Sequence, residues 1–217
     1  MKIGISCRID KEKSYEELRN ALSLDWIDYL SKLNYHPVII PNRLPNVVEY
    51  LSLFELDGII LSGGNNVNPK LYSSDYNMNS VYDIRDNSEF EIITFALRNK
   101  LPLLGVCRGM SIINIYFKGS ISHNINNHVN VSHKIAITKF SKYFEDEKYV
   151  NSYHNHGIAS KNLGDGLNIF AKSEDGYVEG IYNLDKLICG VQWHPEREPL
   201  DAQFENFIND FFRKKII

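Results

Sequence analysis

The strongest restriction on how this chain can fold is the stretch Leu103-Leu104-Gly105-Val106-Cys107-Arg108-Gly109-Met110. There an apolar run ends in a cysteine set between Gly105 and Gly109. A helical pattern follows at once. Such a run predicts a strand that turns sharply into a helix, with Cys107 at the turn in a strained backbone conformation. The glycines fall where strand and helix must pass close together. The helix N-terminus then sets its partial positive charge against the sulfur and favours the thiolate. Far downstream, Gln192-Trp193-His194-Pro195-Glu196 brings a histidine and a glutamate. A cysteine, a histidine and a glutamate in that order point to thiol chemistry on an acyl group.

The 217 residues fit one α/β domain spanning 1–217, with ample material for a core. A hydrophobic fraction of 43% and a charged fraction of 24% are those of an ordinary globular protein. The net charge of −3, with no basic block, gives nucleic acid no footing as a partner. The first residues, Met1 to Arg8, read as a strand and not as a secretion signal, and no apolar run reaches membrane-spanning length. The three cysteines, Cys7, Cys107 and Cys189, are an odd and sparse set. They argue for a reducing, cytoplasmic setting and against a disulfide framework.

Hydrophobic periodicity outlines an alternating α/β chain. Lys2–Ser6, Pro37–Pro41, Asp57–Leu61 and Pro102–Val106 read as strands. A capping box at Ser14–Glu17 predicts a helix from there to about Leu33, with Leu18, Leu22, Trp26, Tyr29, Leu30 and Leu33 on one face. Further helices are expected over Val47–Phe54, Ser88–Asn99, Met110–Phe117 and Ala202–Arg213, with Asn65–Asp83 a polar surface loop. Alternation at Val129, Val131, Ile135 and Ile137 suits antiparallel strands, and more strands follow at Leu167–Phe170, Val178–Ile181 and Leu187–Gln192. The expected architecture is a largely parallel sheet with helices on both faces and a smaller antiparallel segment. Sites in such sheets form at the carboxyl ends of strands, where Ser62-Gly63-Gly64, Cys107 and His194 all fall.

On this reading Cys107 is the nucleophile and His194 the base that removes its proton. Glu196, two residues on in an extended segment, holds the imidazole. The blander account of Cys107, a core cysteine in a tight turn, loses ground once His194 and Glu196 join it at a second strand end. The Gly63-Gly64 turn reads as part of an oxyanion hole, completed by the backbone N–H of Arg108. Gly64 is assigned the donor role and Gly63 the substrate's side, although which glycine donates stays open. His123, His128, His133, His154 and His156 match no metal spacing, so neither a metal nor another cofactor is expected.

These motifs resemble the class I glutamine amidotransferase superfamily and, within it, the γ-glutamyl-γ-aminobutyrate hydrolase branch, peptidase family C26. The resemblance spans nearly the whole chain: Asp57-Gly58 through Gly64, Asn68-Pro69, Asp83 to Glu89, the elbow, Gly119-Ser120, Val150 to His154, and Gly190 to Glu196. It implies a Cys-His-Glu triad and a γ-glutamyl thioester intermediate. It places Arg85 and Asp86 next to the substrate, to hold the α-carboxylate and α-ammonium of a glutamyl group, and His154 on the substrate side. Ser111 stands where many relatives carry a glutamine that helps hold the glutamyl end, and His156 where they often carry another.

Two activities follow. One is a free-standing hydrolase that cleaves a γ-glutamyl amine into glutamate and γ-aminobutyrate, another small amine or a nucleotide-linked phosphoramidate. The other is a glutaminase subunit delivering ammonia to a separate synthase partner. The expected partner is a small-molecule γ-glutamyl substrate, with no nucleic acid and no membrane, and a homodimer stays open.

Overall fold

The computed structural model describes residues 1–72 and 75–216. Its elements begin with strand β1 (Lys2–Ser6), a hairpin of β2 (Arg8–Lys11) and β3 (Leu18–Ala21), and helix α1 (Leu24–Lys32). Strand β4 (His36–Ile40), α2 (Val47–Ser52), β5 (Gly58–Leu61), α3 (Asp83–Arg98), β6 (Leu103–Val106) and α4 (Arg108–Tyr116) follow. The second half is mostly strands: β7 (Ser122–His123), β8 (Val129–Ile137), β9 (Glu147–Tyr153), β10 (His156–Ala159), β11 (Asn168–Ser173), β12 (Tyr177–Asn183) and β13 (Ile188–Val191). Helix α5 (Ala202–Phe212) closes the chain.

One continuous sheet runs β4-β1-β5-β6-β13-β12-β11-β8-β9. From β4 to β13 every pairing is parallel, and from β13 to β9 every pairing is antiparallel. The parallel strands are covered on both faces, which is why Gly58–Leu61, Leu103–Val106 and Ile188–Val191 are buried throughout and read as unbroken apolar runs. Alternate side chains feed two cores. Ile3, Ile5, Ile60, Leu104 and Val191 pack with α1 and α5, and Ile59, Leu61, Leu103 and Ile188 pack with α2, α3 and α4. Phe204, Phe207, Phe211 and Phe212 of α5 are all buried in the first of these cores. No described helix is long and apolar enough to cross a membrane.

Three elements depart from the sequence expectation. The capping box at Ser14 starts no helix: Ser14 Oγ donates to Glu12 Oε1 (2.9 Å) inside the β2–β3 hairpin loop, and α1 begins ten residues later, at Leu24. Residues 8–11 offer residues 18–21 a strand partner, and Asn20 Oδ1 accepts from Asn42 N (2.8 Å), so nonlocal pairing overrides a local start signal. Helix α3 begins five residues before Ser88, which puts Arg85 and Asp86 on its buried first turns. The segment after Gly64 is not simply surface, since Val67 and Pro69 are buried; Ser73 and Ser74 within it lie outside the described residues.

The close passage read from the elbow glycines is present. A Cβ on Gly105 would stand 2.4 Å from the Gly109 carbonyl oxygen, and one on Gly109 would stand 2.1 Å from that of Leu61. Both obstacles are backbone and cannot rotate away. Gly109→Ala should therefore destabilise the protein by about 3 kcal/mol or more in urea unfolding. An unchanged midpoint would refute this account of the crossing.

Candidate active site

The order β5-β6-β13 makes neighbours of three strands whose carboxyl ends carry Ser62–Gly64, Cys107 and Gln192–Glu196. Cys107 sits at φ 53°, ψ −105°, outside the ordinary regions for a residue with a side chain, and its N–H donates to Val191 O (2.8 Å). Helix α4 starts at the next residue. His194 Nδ1 lies 2.7 Å from Glu196 Oε1. A carboxylate only accepts, so Nδ1 carries the proton and Nε2 is left for the cysteine. Gly63 roofs the pair: a Cβ there would stand 2.7 Å from His194 Cε1 and 3.6 Å from both His194 Nε2 and Cys107 Cβ. Glu196 reaches the imidazole across a turn, with Arg197 N donating to His194 O (3.3 Å), and not along an extended segment as expected.

Burial alone would lower the pKa of His194. A negative charge on Cys107, the hydrogen bond to that sulfur and the Glu196 carboxylate outweigh it and raise the group to about 9. Asn151 of β9 clamps the histidine's backbone from both sides, donating through Nδ2 to His194 O (2.8 Å) and accepting at Oδ1 from His194 N (2.8 Å). Gln192 Nε2 donates to Cys107 Sγ (3.7 Å). Neither role was read from the sequence, although both residues stand inside the motifs that carried the resemblance.

Arg85 and Asp86 do not line the cavity, contrary to their expected place against the substrate. Arg85 is fully buried. Its Nε donates to Glu89 Oε1 (3.0 Å), Nη1 to Asn65 Oδ1 (2.9 Å), and Nη2 to the carbonyls of Ser62 (2.9 Å) and Gly63 (3.0 Å). Burial pushes its pKa down to about 9, which leaves it charged at neutral pH. Asp86 accepts from Asn68 N (3.0 Å) and from Arg108 Nη2, while Arg108 Nη1 donates to Glu89. With these bonds made, the two carboxylates balance the two guanidinium groups. Having the Gly63 carbonyl turned toward Arg85 also turns the N–H of Gly64 the opposite way, because the peptide is planar and trans. Gly64 itself is at φ +86°.

Beside Cys107 opens a cavity of about 290 Å³, walled by Gly64, Arg108, Ser111, Tyr153, His194 and Arg197 among others. Its size suits an amino-acid-sized group. Ser111 thus lines the site as expected. The Arg197 guanidinium lies 4.3 Å above the Tyr153 ring, on the same wall. His154 also borders the cavity, but neither of its ring nitrogens is left for a substrate. Nδ1 lies 2.9 Å from His156 O, and Nε2 faces Glu179 Oε1 at 3.7 Å. Burial pushes His154 down to about 3 and His156 down to about 4, so both rings are neutral at pH 7.

The absence of metal spacing along the chain does not carry over to space. Four ligand-type atoms from His128, His133, His154 and Glu179 lie within 4.8 Å of one another. Glu179 had no signal in the sequence, since it sits in the buried middle of β12 and meets the histidines only through strand pairing.

The family model for peptidase C26 matches residues 2–196. Among curated proteins, a γ-glutamyl-CDP-amidate hydrolase of Campylobacter jejuni is 34% identical, covering 91% of each chain. A glutamine amidotransferase-like protein of Lactococcus lactis is 35% identical over 86% of this chain and 85% of its own. Among solved structures, a glutamine amidotransferase of Thermotoga maritima superposes with a TM-score of 0.64 at 18% identity, covering 100% of this chain and 85% of the other, and shares the fold. The chain belongs to the peptidase C26 family.

The raised His194 has a consequence for stability. Its folded pKa of about 9 lies above the ordinary 6.5, so the charged imidazole contributes stability in full below pH 6.5. That contribution is lost as the pH rises through 9. The gap in melting temperature between the wild type and His194→Gln should therefore shift against the wild type from pH 6.5 to pH 9. A gap independent of pH would contradict the charged pair.

Proposed function

We propose that this member of the peptidase C26 family is a cysteine-dependent hydrolase of γ-glutamyl amides. The observation that carries the reading is the assembly at one strand-end crevice of a strained cysteine, a histidine oriented by a glutamate, and a glycine roof over both.

In this mechanism the Cys107 proton rests on His194 Nε2 and the thiolate sulfur attacks the γ-carbonyl carbon. The oxygen that gains charge is met by the N–H groups of Gly64 and Arg108, which the Arg85 and Arg108 networks hold in place. Collapse breaks the C–N bond, and His194 returns the proton to the leaving amine. A water then attacks the γ-glutamyl thioester, His194 taking its proton, and glutamate leaves as the thiol is restored. Glu196 keeps the imidazole in the productive tautomer throughout. Arg85 and Asp86 act from beneath the loop and do not touch the substrate.

The leaving amine is anionic on this reading. Arg197, stacked on Tyr153 at the cavity wall, supplies a cation for it, and the Campylobacter jejuni relative is named for a γ-glutamyl-CDP-amidate. The second reading, a glutaminase subunit feeding a separate synthase, is favoured by the glutamine amidotransferase-like relative.

Glutamate release by the purified chain, from glutamine and from neutral and anionic γ-glutamyl amines, separates the two. Strong release from an anionic γ-glutamyl amine supports the hydrolase, and release from glutamine alone supports the subunit. Cys107→Ala should abolish turnover, by at least about a thousandfold, while Glu196→Gln should leave a measurable residue. Arg197→Ala should raise KM for the anionic substrate by about tenfold and leave glutamine turnover nearly unchanged. An equal effect on both substrates would remove Arg197 from the leaving-group site.

A further inference from the structure

Behind the cavity wall, His128, His133, His154 and Glu179 come from three separate stretches of chain. His128 precedes β8, His133 lies in β8, His154 follows β9 and Glu179 lies in β12. Their facing atoms are spaced as ligands around a small ion. Glu179 Oε1 is 3.7 Å from His128 Nδ1 and 3.7 Å from His154 Nε2, and Glu179 Oε2 is 3.5 Å from His133 Nε2. Ligands about 2.0–2.1 Å from a tetrahedral zinc stand a little over 3 Å apart, and the four atoms lie within 4.8 Å of one another, so closing the shell draws them together by up to about 1.5 Å.

The protons are arranged for a cation. His128 Nε2 lies 3.0 Å from Asp175 Oδ2, and His154 Nδ1 lies 2.9 Å from the His156 carbonyl. Both partners only accept, so the outer nitrogens carry the protons and the inner ones present lone pairs. Those lone pairs face a carboxylate. His128 Nδ1, His133 Nε2, His154 Nε2 and both Glu179 oxygens are buried without a hydrogen-bond partner among the described residues. Acceptors aimed at one point, with tautomers set by outer carboxylate and carbonyl partners, form the second-shell pattern of a metal-binding histidine site.

We propose that His128, His133, His154 and Glu179 bind one divalent transition-metal ion of the zinc class. Three imidazoles and one carboxylate suit zinc better than the hard ions magnesium and calcium, which take mostly oxygen, or soft copper(I), which takes sulfur. Four protein ligands make the site structural and closed. The ion ties the outer strands β8 and β9 to β12. Glu179 O accepts from Gln192 N (2.8 Å), and β9 carries the Asn151 clamp on His194, so the ion braces the wall that positions the histidine without touching the substrate.

The test is metal analysis of the full chain, purified without a polyhistidine tag, followed by zinc titration against a chromophoric chelator. The expected result is about one zinc per chain, retained in Cys107→Ala and lost or weakened at least about a hundredfold in Glu179→Gln and in His133→Ala. Circular dichroism establishes that the variants are folded. Should neither fold, the cobalt(II) form of the wild type decides the matter. Visible bands of tetrahedral cobalt without a thiolate charge-transfer band support the site. A thiolate band would assign the metal to Cys107 and overturn the proposal. So would failure of the wild type to bind zinc or cobalt, or undiminished binding in a folded Glu179→Gln or His133→Ala variant.

Discussion

The site depends on a buried ionic network beneath the elbow. Arg85 and Glu89 come from α3, Arg108 opens α4, and Asp86 completes the set. Ser6 Oγ of β1 donates to Glu89 Oε1 (2.9 Å) and accepts from Ser62 N (3.0 Å), so the network also grips the ends of β1 and β5. Two positive and two negative groups in contact keep the desolvation cost bearable. Removing one leaves a buried charge unmatched, at about 3–5 kcal/mol. In return the network holds the Gly63 carbonyl, the N-terminus of α4 and the end of β5 in one rigid arrangement. Electrostatic stabilisation of a developing oxyanion requires donors that are already in place when charge appears.

That rigidity extends to Cys107. Cys107 holds a strained backbone because Gly105 and Gly109 let α4 press onto β5 and β6, with no side chain able to intervene. Parallel strands buried on both faces have little freedom to relieve the strain. The same tight packing that stabilises the sheet therefore keeps the half-buried sulfur at the carboxyl ends of its central strands.

The antiparallel half of the sheet supplies the other side of the cavity. It carries Tyr153 and the Asn151 clamp, and its β12 hands Glu179 O to Gln192. The parallel half positions Cys107 and the Gly63-Gly64 turn, and the antiparallel half orients His194 and shapes the space in front of it. The histidine–glutamate cluster lies within the antiparallel half, between β12 and the outer strands β8 and β9.

Local chemistry made much of this legible in the residues alone. The elbow was readable because a cysteine between close glycines, after an apolar run and before a helix, has few other uses. The strand-end positions of Gly63, Cys107 and His194 followed from apolar runs that only a doubly covered sheet can hold. The Ser14 capping box misled because its competitor, pairing with residues 8–11, is not visible in a local window. Arg85 and Asp86 look like substrate ligands in one dimension, since a charge is equally suited to bind a ligand or another charge. Only their burial against Glu89, Arg108 and the loop carbonyls decides between the two. His128, His133, His154 and Glu179 carry no spacing signal at all, because separate strands bring them together. The sequence by itself thus determined the fold class, the elbow and the strand-end placement of Cys107 and His194, all of which rest on short-range sterics and periodicity. The tertiary structure alone decided which charges are struts, which histidines converge and what lines the cavity, because those depend on nonlocal pairing and on exclusion from water.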